Sequence, residues 1–175
     1  MRGLVGNGIK PGDRVIILME NRIEYFFAMH ACIRMAAVPV LVPSASSSQT
    51  LSNIVFQSTP VCLVTSCKYS SHVLQSKTNL SGIKLVIFAE DAGKEVPASQ
   101  STSLSIRKLS DIMRQGSEAR PEMHRVSSKL TDLALVVYQS ASEATSGPGL
   151  RPEHWDSGSG LVHSEERPIR SSVRS

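Results

Sequence analysis

Residues 136–149, VVYQSASEATSGPG, carry a β-branched run into a loop of small polar side chains. Ser140, Ser142, Thr145 and Ser146 supply hydroxyls, Glu143 a carboxylate, and Gly147 a backbone unit with no side chain. A strand that opens into such a loop can present N–H and O–H donors to a phosphate. The loop contains no lysine, and its glycines, Gly147 and Gly149, both fall at its end. Its composition fits a phosphate cradle, a weakened cradle, or a polar linker.

Other chemistries find little support. Cys32, Cys62 and Cys67 form no C-x-x-C spacing and no even disulfide set. Cys32 and Cys62 lie in apolar runs, as buried free thiols do. The histidines at 30, 72, 124, 154 and 163 are dispersed, so no metal site is expected. A net charge of +4 with 5% aromatic residues lacks the clustered basic face of a nucleic-acid binder. The most apolar window, residues 25–42, is broken by His30, Arg34 and Pro39, which argues against a transmembrane segment. With no signal peptide in its N-terminal residues, the chain is expected to be cytoplasmic, at most peripheral to intracellular membranes.

The loop needs a scaffold, and the chain supplies alternating elements. RVIILM (14–19) follows the turn KPGD and reads as a buried strand. Asn21 with Glu24 suggests a capped start for a helix over RIEYFFAMHACIRMAA. On that helix Ile23, Phe26, Phe27, His30 and Ile33 share overlapping faces, and Phe26, Phe27 and Met29 are expected in the core. VPVLV (38–42) is a strand, with Pro39 at an early or edge position. A Ser-capped helix (46–58), a strand (61–66), a short helix and a strand (84–89) follow. SIRKLSDIMRQG (105–116) reads as a helix ended by Gly116, and DLALVVY (132–138) as the last strand. Glu24 and Asp13 are expected to act as cap and turn residue, and the scattered arginines to be solvated surface. This alternation implies α/β architecture with βαβ units around a partial parallel, Rossmann-like sheet. Ligands bind such sheets beyond the carboxyl ends of the strands. After Leu150 the composition turns to Ser, Gly, Pro and charge, so residues 1–150 are expected as a partial domain and 151–175 as a disordered tail.

Three segments, in order, resemble the adenylate-forming (AMP-binding) superfamily of acyl-CoA synthetases and ligases. Within the first, RGLVGNGIKPGDRVIILMENRIEYFFAMHACIRMAAVPVLV, Gly8–Val15 is similar to the family's G-[IV]-x-P-G-D-x-V turn, Asn21–Glu24 to its N-x-x-E helix start, and Ala36–Val40 to its A-x-x-P-V strand. SSSQTLSNIVFQSTPVCLVTS is similar to the helix and strand that follow, and TDLALVVYQSASEATSGPG to the signature D-x-A-x-x-x-Y-T-S-G-T-T-G-x-P-K-G. The likeness spans roughly residues 2–150 and looks most like fatty acyl-CoA ligases.

The resemblance implies ATP-dependent activation of a carboxylic acid as an acyl-adenylate, followed by transfer to CoA. Nucleotide and carboxylic acid are then the implied ligands, with Mg²⁺ and the loop gathering the phosphates. Ser140, Ser142, Glu143, Thr145, Ser146 and Gly147 are the implied cofactor-binding residues, with Tyr138 leading into them. Ala141 and Ala144 replace glycines of the signature, and its lysine has no counterpart even when an insertion aligns Pro148 with its proline. Weak binding is therefore expected. The family's later motifs have no match in the tail, so the sequence assigns no catalytic residue and no metal ligand. It reads as a truncated fragment, inactive alone; a non-catalytic interaction module of the same fold, with an unknown protein partner, is the alternative. An unrelated small nucleotide binder would want a G-x-G-x-x-G or G-x-x-x-x-G-K-[ST] motif, and the chain has neither.

Overall fold

The computed structural model describes residues 1–75, 80, 82–97, 104–118 and 132–138. In chain order the elements are α1 (Arg2–Gly6), β1 (Arg14–Leu18), α2 (Ile23–Arg34), β2 (Val38–Leu41), α3 (Ser48–Ser58) and β3 (Cys62–Ser66). A 3-10 turn (Cys67–Tyr69), α4 (Ser70–Gln75), β4 (Leu85–Ala89), β5 (Ser105–Lys108), α5 (Leu109–Glu118) and β6 (Val136–Val137) follow.

The six strands form one sheet in the order β5-β4-β3-β1-β2-β6, and every pairing is parallel. Parallel strands are apolar on both faces because helices cover both, and β1, β3 and β4 show this directly. Val15, Ile17, Cys62, Val64, Leu85 and Ile87 point to the side covered by α1, α2 and α5. Ile16, Leu18, Leu63, Val86 and Phe88 point to the side covered by α3 and α4.

Local chemistry sets the boundaries. Gly12 takes φ +82° in the turn before β1, a conformation that favours glycine, while the Asp13 carboxylate accepts a 2.8 Å bond from the Lys10 amide. Asp13 is thus the turn residue its sequence context suggests. Pro39 is the second residue of β2. The amides of Val38 and Val42 point to β1, so the missing donor of Pro39 faces the β6 side, where pairing begins only at Val40. Ser47 caps α3 through its hydroxyl, 3.1 Å from the Thr50 amide.

Four expectations need correction. The cap of α2 is Arg22, not Asn21, and it makes no side-chain cap bond. Phe26 and Phe27 are each 53% exposed, and the core-facing residues of α2 are Ala28 and Cys32, with Met29 partly buried. The segment read as one helix begins instead as the edge strand β5, and α5 starts only at Leu109. Gly116 lies inside α5 rather than ending it.

That glycine has a packing role. A Cβ built on Gly116 would sit 2.9 Å from the Gly3 nitrogen, and one on Gly3 would sit 2.1 Å from the Ile112 carbonyl oxygen. α1 and α5 therefore touch backbone to backbone, which only glycine permits at both positions.

All three cysteines are buried and free. Burial pushes the Cys32 thiol up to about 12 and raises Cys62 and Cys67 above the ordinary thiol range. A disulfide-exchange reagent at pH 8 is accordingly expected to label the native chain slowly and all three thiols in denaturant. Rapid labelling of the native protein would mean that the core opens readily.

Candidate functional site at the carboxyl edge of the sheet

The carboxyl ends of the parallel strands lie along one edge, where loops converge. Helix α2, which follows β1, packs on one face of the sheet, and α4, which follows the neighbouring β3, packs on the other. A crevice for ligands typically opens where adjacent connections diverge in this way.

Here that position is occupied by an ion network. Arg22 reaches Glu20 at 3.3 Å, Glu24 at 2.8 Å and Asp91 at 2.5 Å, and donates to the Glu90 carbonyl at 3.1 Å. Its side chain is only 19% exposed, so the expectation that the arginines are solvated surface fails for this one. Ser66, at the end of β3, donates its hydroxyl to Glu20 at 2.8 Å. The Lys68 amide donates to Asp91 at 3.0 Å, and the Ser110 hydroxyl donates to Glu90.

The electrostatics follow from these contacts. The hydrogen bond from Arg22 holds the Glu24 carboxyl below its usual range, with its own backbone N–H adding to the effect. In return the bond to Glu24 raises the Arg22 guanidinium above its ordinary value against the cost of burial, and Asp91 adds to the rise. Glu24 is thus an ion-pair partner rather than the capping-box residue its spacing suggested. The network ties together the loops after β1, β3 and β4. Sequence reasoning missed it, although an arginine with acidic residues two positions away on either side, as in Glu20-Asn21-Arg22-Ile23-Glu24, was the available signal.

The candidate phosphate loop follows β6 in sequence. β6 pairs with β2 through Val40–Val136 and Leu41–Val137, and the Tyr138 amide donates to the Leu41 carbonyl at 2.9 Å. Tyr138 packs against the core on the α3 side, and its hydroxyl donates to Gln57 Oε1 at 3.3 Å. Burial raises the Tyr138 phenol above its usual value, partly offset by the positive charge of Arg14. This tyrosine anchors the end of β6, the strand that precedes the candidate loop in sequence. Ser140, Ser142, Glu143, Thr145, Ser146 and Gly147 lie outside the described residues, as do Ala141, Ala144 and the tail at 151–175. Of the expected strand over 132–138, only Val136–Val137 pairs in the sheet.

Among the described residues, no group of three His, Cys, Asp or Glu side chains is placed to hold a metal ion. Nor is any helix among them long and apolar enough to cross a membrane.

The described residues define a class of fold, an open all-parallel α/β sheet, in which ligands bind beyond the carboxyl ends of the strands. Within that class, residues 2–146 match the family described as AMP-binding enzyme, and the chain belongs to it. It is 28% identical over 142 residues to carboxylic acid reductase of Mycobacterium tuberculosis, covering 77% of this chain and 12% of that one. It is 22% identical over 143 residues to long chain acyl-CoA synthetase 8 of Arabidopsis thaliana, covering 80% of this chain and 20% of the relative. The adenylation domain of the carboxylic acid reductase from Segniliparus rugosus, solved with AMP and a co-purified carboxylic acid, superposes with a TM-score of 0.68 at 14% identity, over 80% of this chain and 25% of that one. The adenylation domain of the Mycobacterium chelonae carboxylate reductase gives 0.67 at 20% identity, over 81% and 24%. The chain therefore spans at most about a quarter of the length of these relatives.

Proposed function

We propose that the chain is the part of an ATP-dependent carboxylic acid–CoA ligase that carries the first parallel sheet and its phosphate loop. The family match over residues 2–146 carries this reading, because it runs continuously from the N-terminal helix into the loop. Ser140, Ser142, Thr145 and Ser146 would offer hydroxyls to the ATP phosphates, with Glu143 and Gly147 completing the loop. ATP with Mg²⁺ supplies the adenylyl group in such reactions, a carboxylic acid is the acceptor, and CoA receives the acyl group. A fatty acid is the substrate class favoured by the sequence resemblance, and the likeness to a long chain acyl-CoA synthetase is consistent with it.

On this proposal the chain by itself does not complete adenylation. Ala141 and Ala144 restrict the positive-φ conformations that let a loop backbone wrap a phosphate, and the signature lysine has no counterpart. The network around Arg22 binds its own carboxylates and leaves the β1–β3 crevice to structure rather than substrate. A non-catalytic interaction module remains the second reading, and the same weakened loop favours it.

Exchange of labelled pyrophosphate into ATP, with carboxylic acids of two to eighteen carbons, tests the proposal. The expected result is no exchange above background with any acid, together with weak ATP binding that is lost in a variant carrying alanine at Ser140, Ser142 and Thr145. Robust exchange by the chain alone would overturn its inactivity, and ATP binding indifferent to those substitutions would overturn the loop's role.

A further inference from the structure

Strand β5 runs over Ser105–Lys108 and α5 opens at Leu109, so Ser110 lies in the first turn of that helix. The sequence across the junction is SIRKLSD, which sets Arg107 and Lys108 three and two residues ahead of the Ser110 hydroxyl. Arg107, Lys108 and Ser110 are all exposed. Among the described residues, neither Arg107 nor Lys108 makes an ion pair. Among them too, β5 is the last strand of its sheet and pairs with β4 on one side only. Its other side presents an extended backbone. Cations at fixed positions before a serine, on an extended segment, form the charge pattern by which a basophilic serine kinase selects its acceptor.

Ser110 also holds α5 to the end of β4. Its amide is one of the four that a helix start leaves without an intrahelical partner, and it donates to Glu90 Oε2 at 3.4 Å. Its hydroxyl donates to Glu90 Oε1. The Glu90 carbonyl in turn accepts from Arg22, so this serine bears on the network that joins the loops after β1, β3 and β4.

We infer that Ser110 is a phosphorylation site for a kinase that selects arginine three residues before the acceptor. In the transfer, Ser110 Oγ forms a bond to the γ-phosphorus of ATP as the bond from that phosphorus to the β–γ bridging oxygen breaks. ADP leaves, and the hydroxyl proton passes to the kinase's base and then to solvent. The first turn of α5 must uncoil briefly to enter the kinase, which helix ends do at low cost. The product has no hydroxyl proton to give Glu90, and it sets about 1.5 to 2 negative charges beside that carboxylate. Phosphate oxygens accept from the open amides of a helix start, so the phosphate takes the position of Glu90 and repels it. The loop after β4 then loses its tie to α5.

Ser117 and Ser128 have arginine at the same spacing. Ser117 does not share the geometry: it lies within α5 with Arg114, which pairs with Asp111 at 3.2 Å, and its hydroxyl donates to the Arg114 carbonyl at 2.7 Å. Ser128 lies outside the described residues.

The test incubates the full chain with the catalytic subunit of cyclic-AMP-dependent protein kinase and ATP labelled in its γ-phosphate, and maps the acceptor by mass spectrometry. Incorporation at Ser110 of the folded chain is expected, abolished by Ser110→Ala and slowed roughly tenfold by Arg107→Gln, as for loss of one interfacial charge pair. Ser117→Ala and Ser128→Ala should leave labelling of Ser110 unchanged. In the phosphorylated chain, hydrogen exchange over residues 90–94 should quicken about tenfold, as for loss of one charged hydrogen bond. The proposal is overturned if Ser110 stays unmodified, if only urea-unfolded chain is labelled there, or if Arg107→Gln leaves the rate unchanged. Exchange over 90–94 indifferent to the phosphate would overturn the displacement of Glu90.

Discussion

A Gly3→Val chain is expected to lose about 3 kcal/mol of stability, a large share of what a domain of this size holds. The first atom of any side chain at this position would lie 2.1 Å from the Ile112 carbonyl oxygen and 2.8 Å from its Cγ2. The obstacle is backbone, which has no rotamer by which to move aside. Either α5 shifts off the sheet, taking Ile112 and Leu109 from the core, or α1 is expelled and Leu4, 5% exposed, goes into water. Exposing one such leucine alone costs roughly 1.5–3 kcal/mol, so both routes lead to a similar penalty. Urea unfolding followed by circular dichroism reads it as a lower midpoint. If α1 is expelled, the slope also falls, because less surface remains to be exposed on unfolding. Gly116→Ala meets the Gly3 nitrogen at 2.9 Å and should cost less, on the order of 1 kcal/mol. A Gly3→Val chain within about 0.5 kcal/mol of the native one, a change typical of neutral surface sites, would show that the helices do not meet this way.

The strands were legible where physics acts locally and obscure where it does not. β1, β3 and β4 are β-branched or apolar runs between turn signals, and burial on both faces leaves them little polar interruption. β5 sits at the sheet edge with only Ile106 partly buried, so its Arg107 and Lys108 mimic the outer face of the helix that follows. For α2 the periodicity was real but could not choose a side. Both of its faces are apolar, and the small pair Ala28 and Cys32 won the inner position because it lets the helix approach the sheet. Gly116 looked like a helix end because a glycine within a helix is unfavourable, and only the distant Gly3 explains it. The candidate phosphate loop lies outside the described residues, whereas Tyr138, which precedes it in sequence, is an anchor packed on the α3 side. The ion network was only half legible, since Glu20 and Glu24 adjoin Arg22 in sequence whereas Asp91 is brought to it by the fold.

That last fact makes Arg22→Met the second large effect expected. Methionine keeps much of the side-chain length and removes the charge. Glu20, Glu24 and Asp91 would then share a partly buried site without the cation that pairs with all three. Removing one partner of a buried pair costs roughly 3–5 kcal/mol, and an exposed pair contributes under about 1. With the carboxylate side chains 32, 28 and 20% exposed, an intermediate loss of about 2–3 kcal/mol at pH 7 is expected. The pH dependence separates this from a packing defect. Glu24 is held below its usual range in the native chain, so the stability it contributes is complete above its unfolded value, about 4.3. That contribution is lost as pH falls through the lower folded value. In the Arg22→Met chain the carboxylates repel one another, and protonation relieves them. The gap between the two chains should therefore be widest near neutrality and should close as pH drops below about 4. Urea midpoints from pH 7 to pH 3.5 measure it directly. A gap independent of pH would mean that Arg22 supports the β1, β3 and β4 loops by packing alone. The expected closing gap would show that charge locks the crevice between β1 and β3, where many open α/β sheets place a ligand.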